Sequence, residues 1–238
     1  MRALRILHMY PDRMNIYGDL GNIICLQKRL EWRGLKYEYH TNTVGENLSG
    51  SYDLIFMGGG QDKGQIAVGA DLQAKAKIIK DHIESDTPAL TICGGYQLFG
   101  KYFLPLSNQQ IEGIGIFDVV TKATQLRMIG NVVCVNDEFG VITGFENHSG
   151  QTFLGENSQP LAKVTKGFGN TGKSGYEGVM YRQAIGTYLH GPLLPKNPAL
   201  ADFLLTQAIA KIEPNYQLKA LDDSIANRAN TIAQNLRQ

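Results

Sequence analysis

Ala89-Leu90-Thr91-Ile92-Cys93-Gly94-Gly95-Tyr96-Gln97 is the stretch on which the fold turns. Ala89 to Ile92 is a short apolar run, read as a buried strand of a parallel sheet. It passes directly into a cysteine and two glycines, and Tyr96 to Tyr102 then reads as a helix. A nucleophile at a sharp strand-to-helix turn needs small neighbours, because the backbone there is strained and crowded. Its side chain is then presented at the carboxyl edge of the sheet. The helix N-terminus favours a thiolate, and the Gly94 N–H can donate to an oxyanion. Thr91, two before Cys93, is bulkier than the usual elbow residue. The same string also fits a structural cysteine buried beside a Gly-Gly turn.

Working outward, strand and helix signals alternate. Arg5 to Met9, Lys36 to His40 and Leu54 to Met57 read as strands, the last running into Gly58-Gly59-Gly60. Asp19 to Arg33 and Asp71 to Ser85 carry apolar residues at helical spacing, closed by Gly34 and Pro88. Repeated β-α units with short buried strands imply an α/β fold, with a mostly parallel sheet and helices on both faces. Phe117 to Thr121, Gln125 to Val135, Val141 to Glu146 and Ala162 to Thr165 read as strands between Gly, Asn and Asp turns. They predict an antiparallel edge or small subsheet. Ala184 to Leu189 is a further buried strand, ending at His190-Gly191-Pro192. Helices over Pro198 to Lys211 and Asp222 to Leu236 close the chain. No repeat or low-complexity linker interrupts it, so residues 1–238 are read as one domain.

With 238 residues and 43% hydrophobic positions, the chain has enough apolar side chain for a core,. A net charge of +1 gives no general pull toward nucleic acid or anionic lipid,. Cys25, Cys93 and Cys134 form no CxxC pair, so no metal site is expected. There is neither a secretory leader nor an apolar run of roughly 18 residues. The expectation is a cytoplasmic protein with reduced thiols.

A cysteine nucleophile needs a base. His82 lies mid-helix, His40 at a strand end, and His8 inside the first strand. His190 ends a buried strand, where a parallel sheet presents its ligand-binding edge. His148, in Glu146-Asn147-His148-Ser149-Gly150, is the rival, and either ring is also compatible with a structural role. Gly167-Phe168-Gly169-Asn170-Thr171-Gly172-Lys173-Ser174 satisfies the phosphate-loop pattern. The helix that should receive phosphate is replaced by Gly175-Tyr176-Glu177-Gly178-Val179, so this string is read as a hairpin.

Ile92-Cys93-Gly94-Gly95-Tyr96-Gln97, Gly58-Gly59-Gly60-Gln61-Asp62 and Tyr188-Leu189-His190-Gly191-Pro192 together resemble the class I glutamine amidotransferases. More narrowly, they are similar to the cobyric-acid-synthase type. Tyr17-Gly18-Asp19-Leu20-Gly21-Asn22, Gly144-Phe145-Glu146-Asn147-His148 and Gly175-Tyr176-Glu177-Gly178 look like the GatD group, the glutaminase subunits of lipid II isoglutaminyl synthases. The resemblance implies a flavodoxin-like sheet and L-glutamine as substrate. Cys93 would be the nucleophile and His190 the base and then the acid. The oxyanion hole maps onto Gly94 and the Gly58–Gly60 loop, with Gly59 at its centre. Gln97 and Arg127 would bind substrate. The wider superfamily places a glutamate two residues after the histidine; here that position is Pro192. A partner could then supply the acid, or Asp19 or Glu177 could approach in space.

The implied activity is hydrolysis of glutamine to glutamate and ammonia. The ammonia would pass to a Mur-ligase-like synthetase (MurT), forming a heterodimer that amidates the D-glutamate α-carboxylate of the lipid II stem peptide. No cofactor is expected on this chain, and ATP only on the partner. The alternatives are an ammonia donor in another cobyric-acid-synthase-like pathway, or a catalytically silent binding subunit.

Overall fold

The computed structural model describes residues 1–60 and 62–236. Gln61 of the Gly58–Asp62 segment lies outside the described residues. The chain opens with β1 (Leu4–Met9), α1 (Leu20–Glu31), β2 (Tyr37–Asn42), β3 (Leu54–Met57), α2 (Asp62–Glu84), β4 (Ala89–Ile92) and α3 (Gly94–Phe99). It then leaves this layer for β5 (Tyr102–Leu104), β6 (Ile111–Glu112), β7 (Val119–Asn136), β8 (Gly140–Leu154), β9 (Ala162–Lys166) and β10 (Tyr176–Glu177). β11 (Val179–Tyr181) and β12 (Ala184–Thr187) return to the first sheet, and α4 (Pro198–Ala210) and α5 (Ser224–Gln234) follow.

The first sheet runs β11-β12-β4-β3-β1-β2, parallel except for β11. Every residue of β3, β4 and β12 is buried, as a doubly covered parallel sheet requires,. The chain steps one way from β1 to β2 and the other way from β3 to β4. Right-handed crossovers therefore put α1 and α2 on opposite faces. α4 packs with α1, and α3 with α2. The reversal between β1 and β3 is a switch point, where a parallel sheet opens a crevice at its carboxyl edge. Gly58–Gly60 follow directly from β3, which borders it, Cys93 follows from β4 on the other side of β3, and His190 comes three residues after β12.

The antiparallel part is larger than an edge. It is a second, six-stranded sheet, with β10-β9-β7-β5-β6 in order and β8 paired to β7. The two strands expected over Phe117 to Val135 are one strand, broken in register between Ala123 and Met128. The helix expected to reach Tyr102 ends at Phe99, and Tyr102 starts β5. Gly100 ends that helix in extended backbone.

Of the contacts that tie this second sheet to the first, two bear on the backbone around His190. Phe145 of β8 and His190 exchange both backbone hydrogen bonds, at 3.1 and 2.8 Å. Glu177 of β10 is fully buried and accepts from the Thr187 hydroxyl at 2.6 Å and the Tyr188 N–H at 2.7 Å. His190 is therefore set by strands from both sheets. Burial pushes the Glu177 carboxyl up to about 7, against these hydrogen bonds, which pull it down. A folded-state pKa above the ordinary 4.5 means stability present below about pH 4.5 and lost as pH rises through about 7,. Melting temperature measured from pH 5 to 7.5 should therefore fall more steeply in the native chain than in Glu177→Gln. Parallel curves for the two proteins would contradict this assignment.

Candidate active site

Cys93 has a left-handed backbone, φ 51° and ψ −104°, as the residue before α3. That conformation costs a non-glycine residue about 1–3 kcal/mol, so the surroundings must impose it. The Cys93 N–H donates to Thr187 O at 2.8 Å, and its carbonyl accepts from the Gln97 N–H at 2.9 Å. The Gly95 N–H donates to Gly58 O at 3.2 Å, and a Cβ on Gly95 would lie 2.7 Å from Met57 O. Only glycine lets the helix start so close to β3. Thr91 is fully buried, and its hydroxyl donates to Ile185 O at 3.2 Å on the neighbouring strand β12. Cys93 is 8% exposed and lines a cavity of about 460 Å³ between the two sheets.

His190 is fully buried, and its Nδ1 donates to Asp19 Oδ1 at 3.1 Å. A Cβ placed on Gly59 would lie 2.7 Å from the His190 ring and 3.2 Å from Cys93 Cβ, so only a glycine fits between the two side chains. Burial alone would push His190 down. The charge at Cys93 and the Asp19 hydrogen bond outweigh it, and the ring is raised from 6.5 to about 10. Pro192 stands two residues after His190, and the carboxylate that meets the ring comes from far away in sequence, at Asp19. Asp19 arrives because α1 docks on the turn after His190: a Cβ on Gly21 would lie 2.5 Å from Pro192 Cγ, and Asn22 Oδ1 accepts from the Leu194 N–H. Glu177, the other acid considered, is held by Thr187 and Tyr188 instead.

Gly59 requires a correction. Its N–H donates to Asp19 Oδ2 at 2.7 Å, and so is not offered to an oxyanion. The N–H groups of Gly60 and Gly94 carry no partner among the described residues, and Gly60 and Cys93 line the same cavity.

The cavity also gathers Gln97 and Arg127. Gln97 is buried, donating to Tyr188 Oη at 3.2 Å and accepting from Gln65 at 3.0 Å. Arg127 sits where the β7–β8 register breaks, a bulge that turns its side chain into the cavity mouth,. Asn147 and Tyr17, which belong to the segments that carry the family resemblance but which no local chemistry marks as site residues, stand beside it. His148 lines the cavity too, but it stacks on Tyr188 at 3.6 Å and its Nδ1 lies 2.7 Å from Gly150 O. Its Nε2 lies 3.5 Å from the Glu146 carboxylate, whose oxygens already accept from the Phe168 and Gly169 N–H groups.

The phosphate-loop-like string is not a free nest. The Phe168 and Gly169 N–H groups donate to the buried Glu146 carboxylate at 2.7 and 2.9 Å. An internal anion already holds them, and β10 follows where a phosphate loop needs a helix,.

A strained strand-end cysteine, a paired histidine and two open N–H groups make a site for acyl transfer through sulfur. Residues 5–198 match the model of the CobB/CobQ-like glutamine amidotransferase domain. The chain belongs to this family. It is 37% identical to subunit GatD of the glutamine-hydrolysing lipid II isoglutaminyl synthase of Staphylococcus aureus, over 98% of this chain and 95% of that one. It is 39% identical to the same subunit from Streptococcus pneumoniae, over 94% and 87%. A probable cobyric acid synthase of Methanococcus maripaludis is 30% identical over 80% of this chain but only 41% of its own length. Among solved structures, a Thermotoga maritima glutamine amidotransferase shares the fold with a TM-score of 0.56 at 17% identity, covering 98% of this chain and 94% of that one. PurLQS from the same organism does so at 0.59 and 15%, covering 89% and 99%.

Within this glutamine amidotransferase domain, Asp19 is the residue the sequence could name only as an option, because nothing local to His190 announces it. Replacing the corresponding carboxylate in a hydrolytic triad costs about 10⁴ in kcat. We expect Asp19→Asn to lower kcat for glutamine hydrolysis by about 10²–10⁴. Without the carboxylate the imidazolium is less stabilised, so the alkaline limb of kcat/KM should move to lower pH. Unchanged kcat and an unmoved alkaline limb would contradict the assignment.

Proposed function

We propose that this chain is the glutaminase subunit of a two-subunit enzyme that amidates the D-glutamate α-carboxylate of the lipid II stem peptide. The supporting observation is the Cys93–His190–Asp19 arrangement beneath the Arg127 pocket, in a chain that matches the GatD proteins over nearly their whole length.

In this reading Arg127 takes the α-carboxylate of L-glutamine, its guanidinium offering a fork of donors to the two oxygens. Gln97, deeper in the pocket, orients the side chain. The Cys93 sulfur attacks the carboxamide carbon, and the carbonyl oxygen becomes an oxyanion facing the Gly60 and Gly94 N–H groups. His190, held protonated by its neighbours, gives its proton to the departing nitrogen, and ammonia leaves with the C–N bond. The thioester that remains is hydrolysed by a water whose proton His190 accepts. Glutamate departs, and the charged pair is restored. Asp19 steadies the ring through both proton transfers.

Ammonia then passes to a Mur-ligase-like synthetase, MurT, as the heterodimeric partner. ATP is consumed there, and this chain carries no cofactor of its own. The free thiols of Cys25, Cys93 and Cys134 support a cytoplasmic setting, and no described helix is long and apolar enough to cross a membrane,.

The test is reconstitution with a Mur-ligase-like synthetase, ATP, glutamine and lipid II. The native pair should yield amidated lipid II. With Cys93→Ala, the glutamine-driven reaction should fall by several orders of magnitude while the reaction driven by ammonium salt persists. Glutamine-driven turnover within about tenfold of native, a barrier change of only about 1.4 kcal/mol, would defeat the proposal.

A further inference from the structure

At the cavity mouth, three side chains from separate elements are joined in series. Arg127 comes from the bulge of β7, Asn147 from β8 opposite Ile129, and Tyr17 from the turn before α1. Arg127 Nε donates to Asn147 Oδ1 at 2.8 Å, and Asn147 Nδ2 donates to Tyr17 Oη at 2.7 Å. The Tyr17 ring meets His190 edge-on, with centroids 5.0 Å apart and planes at 74°. All of Arg127, Asn147 and Tyr17 line the cavity that holds Cys93.

The polarity of this series is fixed by chemistry. Arg127 has only donors, so it must meet the oxygen of the Asn147 amide, and the amide nitrogen then faces Tyr17. Tyr17 Oη accepts and keeps its own proton. Using Nε for Asn147 leaves both terminal guanidinium nitrogens without a partner among the described residues. These two nitrogens form an edge of the fork that can pair with both oxygens of a carboxylate. An unrestrained arginine on a bulge samples many rotamers, and binding would have to suppress them. Tyr17 is held at φ 56°, a left-handed backbone that needs a local reason to persist,.

We propose that Asn147 is a positioning residue for substrate selection: bridging Arg127 and Tyr17, it presents the Arg127 fork to the α-carboxylate of glutamine. The inference rests on the reading of Arg127 as the carboxylate-binding residue. It adds that recognition of the amino-acid head group depends on a neutral amide reaching across from β8. It also ties that head-group contact to the ring that covers His190. An aspartate at 147 would still accept from Arg127, but it would compete with the substrate carboxylate for the guanidinium, and toward Tyr17 it could only accept from the hydroxyl, reversing the native bond,.

The experiment compares L-glutamine with 4-aminobutanamide, which has the same amide and chain but no α-carboxylate. Glutamine hydrolysis is followed in native protein, Asn147→Ala, Asn147→Asp, Arg127→Ala and the double variant Asn147→Ala/Arg127→Ala. Hydrogen bonds to charged groups are worth about ten- to hundredfold in affinity. Asn147→Ala should therefore raise KM for glutamine at least tenfold, with kcat falling less than threefold. The preference for glutamine over 4-aminobutanamide, as a ratio of kcat/KM values, should drop by the same factor. Asn147→Asp should behave like Asn147→Ala or worse. In the Arg127→Ala background, removing Asn147 should change KM by less than twofold. Full additivity of the two single effects, or loss confined to kcat with the preference intact, would overturn the proposal. If Arg127→Ala alone leaves the preference unchanged, the reading of Arg127 fails instead, and that arm separates the two failures.

Discussion

One carboxylate holds the working parts of this site together. Asp19 uses one oxygen on His190 Nδ1 and the other on the Gly59 N–H. The first bond orients the base and stabilises its charged form. The second pins the loop after β3, so that the next peptide, at Gly60, borders the Cys93 cavity. Both bonds are fully buried, where an unpaired carboxylate would be costly, so neither partner can leave without penalty,. The switch point of the sheet supplies the location, since Asp19 follows the end of β1 and its partners follow the ends of β3 and β12. Close approach of these segments demands residues without side chains at Gly21, Gly59 and Gly95.

Much of this was legible in the sequence for local reasons. The limits of β3 and β4 are legible because fully buried parallel strands are continuous apolar runs, here ended by Gly58 and opened after Pro88,. Cys93 and His190 were legible because both sit just beyond such runs. Asp19 was not legible as the partner of His190. It lies 171 positions away, and the position where the superfamily carries its acid is occupied by Pro192. That proline has its own role here, as the surface on which Gly21 of α1 rests. The register break that aims Arg127 spans Ala123 to Met128, whereas the sequence reads as strands over Phe117 to Thr121 and Gln125 to Val135 with Arg127 inside the second. A bulge leaves no hydropathy signature of its own. The second sheet was underestimated because β7 and β8 are long and half-exposed, and periodicity in such strands weakens at each turn-like residue.

The second sheet is more than an edge decoration. Through Phe145 and Glu177 it sets the backbone on either side of Tyr188 and His190, and through Arg127 and Asn147 it supplies the mouth of the cavity. In the proposed reading the first sheet carries the reacting groups Cys93 and His190, and the second, mostly antiparallel sheet carries the side chains that select substrate. Glu146 shows how the same sheet absorbs a suggestive motif. Its carboxylate fills the Gly-rich loop that otherwise reads as a phosphate cradle, converting a potential ligand site into a structural clasp.

The most direct test of the central claim is the protonation of His190 itself. Nitrogen-15 NMR of histidine-labelled protein, assigned by difference against His190→Gln, reports both ring nitrogens across pH. The account predicts a ring still doubly protonated at pH 8, titrating near 10 in the native chain and at clearly lower pH in Asp19→Asn. A His190 that titrates near 6.5, and identically in the two proteins, would contradict it.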